Sequence, residues 1–159
     1  MVKGFERDYS NLPGKAEILC RPTNENECAL ILTYCQNAKI PLTIAAGRTN
    51  LNGSATPNGG MVMSIEKMIE PGPQLDLKNR CISSPMGIYL EDMRNAALQL
   101  SQNKLHFPVD PTSRREAMVG GAISCNASGF VPGPAGAIRY WTNALDFLTP
   151  NGYKITCKK

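Results

Sequence analysis

Residues 44–57 read I-A-A-G-R-T-N-L-N-G-S-A-T-P, and the reading of this stretch decides the fold. It follows the apolar run P-L-T-I-A at 41–45 and offers a turn of main-chain N–H groups with little side-chain bulk around them. Such a turn suits a phosphate. Glycine lets the backbone approach an anion closely and enter positive φ without steric cost, and successive amides converging in a nest stabilise negative charge without a lysine. A second small-residue run, M-V-G-G-A-I-S-C-N-A-S-G at 118–129, is preceded by F-P-V-D-P-T-S at 107–113. Together these runs point to a long ligand contacted at several places.

The surrounding sequence reads as alternating strands and helices. Residues 18–21 form a short strand that Pro22 ends, and Asn24 with Glu27 fits a capping box for a helix running to about Ala38. Cys28, Ile31, Leu32 and Cys35 recur there at helical spacing and mark its buried stripe. The strand at 41–45 feeds the glycine-bearing loop, so 18–45 has the form of a βαβ unit with the loop at its C-terminal edge, where open sheets bind ligands. A turn at 58–60, a strand at 61–65, a break at 71–73 and a short strand at 81–83 follow. Leu90, Met93, Ala97 and Leu100 fall on one face of a second helix over 89–102. Residues 106–139 read as a long loop-rich stretch, and Asn151-Gly152 sets a hairpin between strands at 145–149 and 153–157.

Composition narrows the function. The 159 residues are 42% hydrophobic and 19% charged, ordinary for a soluble globular protein of one domain or of two small lobes sharing a ligand. No apolar run approaches the roughly 20 residues of a membrane helix, and residues 1–9 carry acids and no apolar core of a leader. A cytoplasmic protein without a membrane span is expected. Seventeen basic residues against thirteen acidic ones give a charge of +4, but they are scattered, so nucleic acid is not indicated, while one anionic cofactor is compatible. The six cysteines form no C-x-x-C pair and the one histidine is His106, which speaks against zinc and iron–sulfur sites. Cys28 and Cys35 are expected as reduced core thiols.

The ordered set A-G-R-T-N-L-N-G, M-V-M-S-I-E-K-M, P-V-D-P-T-S, V-G-G-A-I-S-C-N-A-S-G and G-A-I-R-Y-W-T-N-A-L-D-F-L-T-P-N-G resembles the N-terminal FAD-binding domain of FAD-linked oxidases of the vanillyl-alcohol oxidase type. The branch with glycolate oxidase and D-lactate dehydrogenase is the most similar, and the resemblance spans essentially the whole chain. It implies an α+β, two-lobed domain, with a first lobe over about 1–86, the start of an incomplete second lobe over about 87–159, and FAD between them. By position it implies that Ala46, Gly47, Arg48, Thr49 and Asn50 form the pyrophosphate loop, chiefly through backbone amides. It further implies that Thr112 and Ser113 offer hydroxyls, that Gly120 and Gly121 let the main chain pass close to the flavin, and that Asn126, Ala127 and Ser128 line the cofactor.

Two departures qualify what is carried over. Arg48 stands where some relatives carry the histidine that bonds to the flavin, so the expected FAD is noncovalent unless His106 or a cysteine makes the link instead, and Arg48 either pairs with phosphate or faces solvent. The C-terminal substrate domain of the family is absent from these 159 residues, so no catalytic residue is assigned. The expected function is the FAD-binding part of an oxidoreductase acting on a small 2-hydroxy acid such as D-lactate or glycolate. Electrons then pass to oxygen, a cytochrome, a quinone or an iron–sulfur partner on other sequence. The alternative is a noncatalytic flavin-binding or scaffolding subunit of a larger redox complex. A weaker resemblance leads to cell-wall precursor reductases that bind a nucleotide sugar and NADPH.

Overall fold

The computed structural model describes residues 2–131 and 133–159. The apolar runs near residues 18, 42 and 61 become strands of one parallel sheet: β1 (Ile18–Cys20), β2 (Leu42–Ala45) and β3 (Met61–Ser64), in the order β1-β3-β2. Ile18 and Leu42 both stand opposite Met61. All four residues of β3 are buried, Ser64 among them, which is why Met61–Met63 run as consecutive apolar residues rather than in alternation. Phe5, Ala16, Ala45 and Val62 form the core on this sheet.

Helix α1 (Glu25–Ala38) connects β1 to β2. The Asn24 side chain accepts from Glu27 N at 3.0 Å, and the Glu27 carboxylate accepts from Thr23 N at 2.7 Å. The expected capping box therefore closes one residue earlier than its usual form, on Thr23 rather than on Asn24. Such caps are worth about 1 kcal/mol. Cys28 and Cys35 are buried in α1, with Cys35 Sγ 3.6 Å from Met61 Sδ, and all six cysteines are free thiols.

Contacts gather the chain into two units, Met1–Lys67 with Asn143–Lys159, and Met68–Thr142. The second unit opens with an antiparallel pair, β4 (Gln74–Asp76) and β5 (Cys81–Ser83), followed by helices α2 (Leu90–Leu100) and α3 (Val119–Ser124). Leu90, Met93, Val109, Val119, Ala122 and Ile138 form its core. Leu90, Met93 and Ala97 of the anticipated apolar face are buried, whereas Leu100, at the last turn of α2, is half exposed.

Helix α3 lies inside the stretch read from sequence as loop. Two glycines in six residues each cost about 1 kcal/mol of helix propensity, and no local signal overcomes that. Burial of Val119 and Ala122 does, with Val119 N and Gly120 N donating to the carbonyls of Ile88 and Met86.

Strands β6 (Ala144–Leu148) and β7 (Lys154–Lys158) make the expected hairpin around Asn151-Gly152. It belongs to the first unit because its turn lies on α1: Thr33 Oγ1 donates to Asn151 O at 3.2 Å, and Lys154 pairs with Glu25 at 2.9 Å. The units thus cut the chain at residues 68 and 143, whereas the lobes read from sequence meet near residue 87.

Gly60 enters β3 at φ +72°, and a Cβ there lies 2.2 Å from the Pro41 carbonyl oxygen. Gly60→Ala is expected to destabilise the fold by about 2 kcal/mol or more, seen as a lower midpoint in urea unfolding.

Candidate functional site

The β2–β3 ladder ends at Ala45, whose carbonyl accepts from Ile65 N. Beyond it, the main-chain N–H groups of residues 46–51 have no acceptor among the described residues. Most of the far side of the same loop is committed. Asn50 Oδ1 accepts from Ser54 N at 3.0 Å, Asp8 Oδ2 from Ala55 N at 3.1 Å, and Gly53 O from Thr56 N at 3.0 Å. The Asn50 side chain thus folds the loop, and what it leaves for a ligand is main chain. Positive φ falls at Arg48 (55°) and Gly53 (78°) rather than at Gly47. A non-glycine residue in that region costs about 1 kcal/mol or more, so the surrounding contacts must hold Arg48 there.

They do so from the N-terminal segment. The Arg48 guanidinium stacks on the Phe5 ring at 4.1 Å, and Tyr9 N donates to Arg48 O at 3.1 Å. Arg48 Nη1 is enclosed and has no acceptor among the described residues. Asp8 is buried and accepts from Ser10 N, Ser10 Oγ and Ala55 N. Its burial favours the neutral acid, but these hydrogen bonds outweigh that and hold its carboxyl below the ordinary aspartate value.

In the second unit, Thr112 and Ser113 occupy a tight turn in which Ser113 O accepts from Glu116 N and Ala117 N. Neither hydroxyl makes a hydrogen bond among the described residues. Gly120 and Gly121 lie in the first turn of α3. The Gly120 amide is spent on Met86, while that of Gly121 has no acceptor among the described residues. Asn126 and Ala127 are largely committed to the fold: Asn126 Oδ1 accepts from Arg139 N, Ala127 N donates to Ala122 O, and Ala127 O accepts from Ile138 N. Ser128 bridges Ala137. Gly129 joins these two stretches, because a Cβ on it would lie 1.9 Å from Asp110 O. Thr112–Ser113 and Asn126–Ser128 are therefore brought together within this unit.

Four charges brace that turn. Arg94 Nη1 lies 3.0 Å from Glu91 and 3.2 Å from Asp110, and Arg114 lies 2.9 Å from Glu91 and 3.1 Å from Asp110. Arg94 Nε also donates to Phe107 O at 3.2 Å. The quartet lines a cavity of about 240 Å³ together with Asn95, Leu98, His106 and Phe107. His106 is exposed at the cavity wall, whereas Phe107 packs on the core. Phe5, Asp8 and the contact of Gly129 with Asp110 escaped the sequence reading because they join residues far apart in the chain, as do the Arg94–Asp110 and Arg114–Glu91 pairs; Glu91–Arg94 and Asp110–Arg114 are local pairs that close the quartet.

Uncommitted amides in series beside an enclosed guanidinium N–H form the donor set that a diphosphate accepts. The sequence profile of the FAD binding domain matches residues 16–158. The chain belongs to this FAD binding domain family. The domain is 31% identical over 150 residues to a D-lactate dehydrogenase of Anaerostipes hadrus, covering 93% of this chain and 31% of that protein. It is 26% identical over 144 residues to glycolate oxidase subunit GlcD of Bacillus subtilis, covering 91% and 29%. Similarity extends to a UDP-N-acetylenolpyruvoylglucosamine reductase of Clostridium perfringens, 25% identical over 126 residues, covering 79% and 38%.

Among solved structures, the FAD binding domain shares the fold of a Phl p 4 variant, a glucose dehydrogenase, with a TM-score of 0.81 at 18% identity, covering 98% of this chain and 32% of that one. It also shares the fold of glucooligosaccharide oxidase from Acremonium strictum, which carries a cysteinyl- and histidyl-linked FAD, with a TM-score of 0.78 at 14% identity and coverage of 98% and 32%. The chain spans about three-tenths of the length of the D-lactate dehydrogenase and glycolate oxidase relatives it matches.

Because the Asp8 carboxyl titrates below its unfolded value, the stability it contributes is full above about pH 4 and is lost as pH falls through its depressed folded value. Urea unfolding between pH 6 and pH 3 is expected to show a shallower decline in midpoint for Asp8→Asn than for the unaltered chain.

Proposed function

We propose that this chain is the FAD-binding part of a flavin-dependent oxidoreductase that oxidises a small 2-hydroxy acid such as D-lactate or glycolate. The observation that carries the cofactor reading is the run of main-chain N–H groups at 46–51 without an acceptor among the described residues, beside Arg48 Nη1. In this reading Ala46, Gly47, Arg48, Thr49 and Asn50 take the diphosphate. Thr112 and Ser113 offer hydroxyls, Gly121 an amide, and Gly120, Asn126, Ala127 and Ser128 shape the backbone around the cofactor. The bound isoalloxazine supplies the two-electron chemistry, and the residues of this chain hold and orient it. The similarity to D-lactate dehydrogenase and to glycolate oxidase subunit GlcD supports the substrate class.

FAD is held noncovalently in this reading, because a guanidinium at position 48 does not form the link that a histidine forms there in some relatives. In this reading the electron acceptor is open among oxygen, a cytochrome, a quinone and an iron–sulfur subunit or domain on other sequence. The reading places the protein in the cytoplasm, supported by six free cysteines and by the finding that no helix among the described residues is long and apolar enough to cross a membrane. Cell fractionation that recovers it with membranes or outside the cell counts against that address.

Titration with FAD, ADP and riboflavin, in a polypeptide that carries this chain with the remaining length of its relatives, tests the cofactor reading, because the isolated piece, with its second lobe incomplete, is expected to retain little FAD. FAD and ADP are expected to bind with riboflavin weaker by about tenfold or more, since only the first two present a diphosphate to charge-assisted donors. Equal binding of riboflavin and FAD removes the role of the loop. Acid precipitation of the FAD-loaded protein should leave all flavin in the supernatant, and flavin in the pellet overturns the noncovalent assignment.

The substrate class is tested in a polypeptide that carries this chain with the remaining length of its relatives. Anaerobic D-lactate or glycolate should bleach the flavin band. A flavin that neither acid bleaches but NADPH reduces favours the nucleotide-sugar reductase reading, which the similarity to that enzyme supports.

A further inference from the structure

Phe5 is buried with two guanidinium groups near its ring, Arg48 at 4.1 Å and Arg21 at 5.4 Å. The two arginines differ in one respect. Arg21 is paired with Glu66 at 3.0 Å, whereas Arg48 has no carboxylate partner among the described residues. A carboxylate neutralises a guanidinium and competes with any incoming anion. An aromatic face holds the cation while leaving its charge unneutralised and Nη1 without an acceptor among the described residues.

The same segment grips the main chain. Tyr9 N donates to Arg48 O. Because a trans peptide is planar, the N–H of Thr49 must point the opposite way from that carbonyl, away from Tyr9, and it has no acceptor among the described residues. Asp8 then fixes the far side of the loop through Ala55 N. Residues 5–10 thus touch the loop at a side chain, a carbonyl and an N–H. All of them precede residue 16, where the match to the FAD binding domain begins.

We propose that residues 5–10 are a clasp for the diphosphate loop, in which Phe5 and Asp8 act as positioning residues that present Arg48 and the amide of Thr49 to the dinucleotide. This inference rests on the cofactor reading given above. Phe5 acts through the Arg48 side chain and Asp8 through the loop backbone at Ala55, both on the diphosphate alone, so loss of the clasp has a signature that general destabilisation lacks.

Affinities for FAD, ADP and riboflavin, measured on the same longer polypeptide for Phe5→Leu, Phe5→Trp, Arg48→Met and the double variant Phe5→Leu with Arg48→Met, test it. Phe5→Leu and Arg48→Met are each expected to weaken FAD and ADP by about tenfold. The double variant should bind no more weakly than Arg48→Met alone. Phe5→Trp, which keeps an aromatic face, should stay within about twofold of the unaltered chain, with riboflavin unchanged throughout. Asp8→Asn leaves the ring in place and covers the case in which Phe5→Leu fails to fold; it should weaken FAD by about threefold through the charge-assisted bond to Ala55.

Unchanged FAD affinity in Phe5→Leu or, where that variant does not fold, in Asp8→Asn overturns the clasp while leaving the cofactor reading intact. Penalties of Phe5→Leu and Arg48→Met that multiply overturn it as well. Failure of the unaltered longer polypeptide to bind FAD or ADP at all overturns the cofactor reading and the clasp with it.

Discussion

Hydrogen-bond pairing of β2 with β3 stops at Ala45, and the site in the first unit depends on that stop. Up to Ala45 the backbone is satisfied by its neighbour, and the last bond runs from Ile65 N to Ala45 O. From Ala46 onward there is no strand to pair with, so the amides either find side chains or remain available. Residues 52, 54 and 55 find Asn50 and Asp8, while residues 46–51 find none among the described residues. Burial of β3 makes this arrangement firm. All four of its residues are enclosed, and Val62 at its centre joins Phe5 and Ala45 in the core. The loop can therefore keep unsatisfied donors because the strands beside it carry the stability.

The second unit solves a different problem, which is to hold several short irregular stretches together without a large sheet. Its core is the contact of α2 with α3 and Val109. Around that core the Glu91, Arg94, Asp110 and Arg114 quartet ties α2 to the turn bearing Thr112 and Ser113. Each of these pairs is partly exposed and worth about 1 kcal/mol at most, so their effect is one of placement more than of net stability. Gly129 adds a steric term, since only a residue without a side chain lets its backbone lie on the carbonyl of Asp110.

Membership of the FAD binding domain family agrees with this chemistry on physical grounds. A dinucleotide presents two phosphates that need several donors in a small space, and main-chain amides supply them without the desolvation cost of clustered lysines. Arg48 adds one full charge. Its seat on Phe5 explains how a positively charged side chain can be partly enclosed without a carboxylate beside it. That seat is built by a segment outside residues 16–158, so in the proposed reading residues 5–10 extend the diphosphate site beyond the matched part of the chain.

From the sequence alone came the parallel strands, α1 with its cap, α2, the Asn151-Gly152 hairpin and the loop at 46–50, because each is encoded by neighbours in the chain: apolar period, cap residues or turn residues. Helix α3 was not legible, since its two glycines argue against a helix and only burial of Val119 and Ala122 reverses that cost. Nor was the seating of the hairpin turn on α1, which depends on Thr33 meeting Asn151 across more than a hundred residues. The same limit hid Phe5, Asp8 and the Arg94–Asp110 and Arg114–Glu91 pairs that cross the charge quartet. Local pattern determines which segments have donors to give; only tertiary contact decides which of those donors are already taken, and a binding loop is defined by the ones that are not.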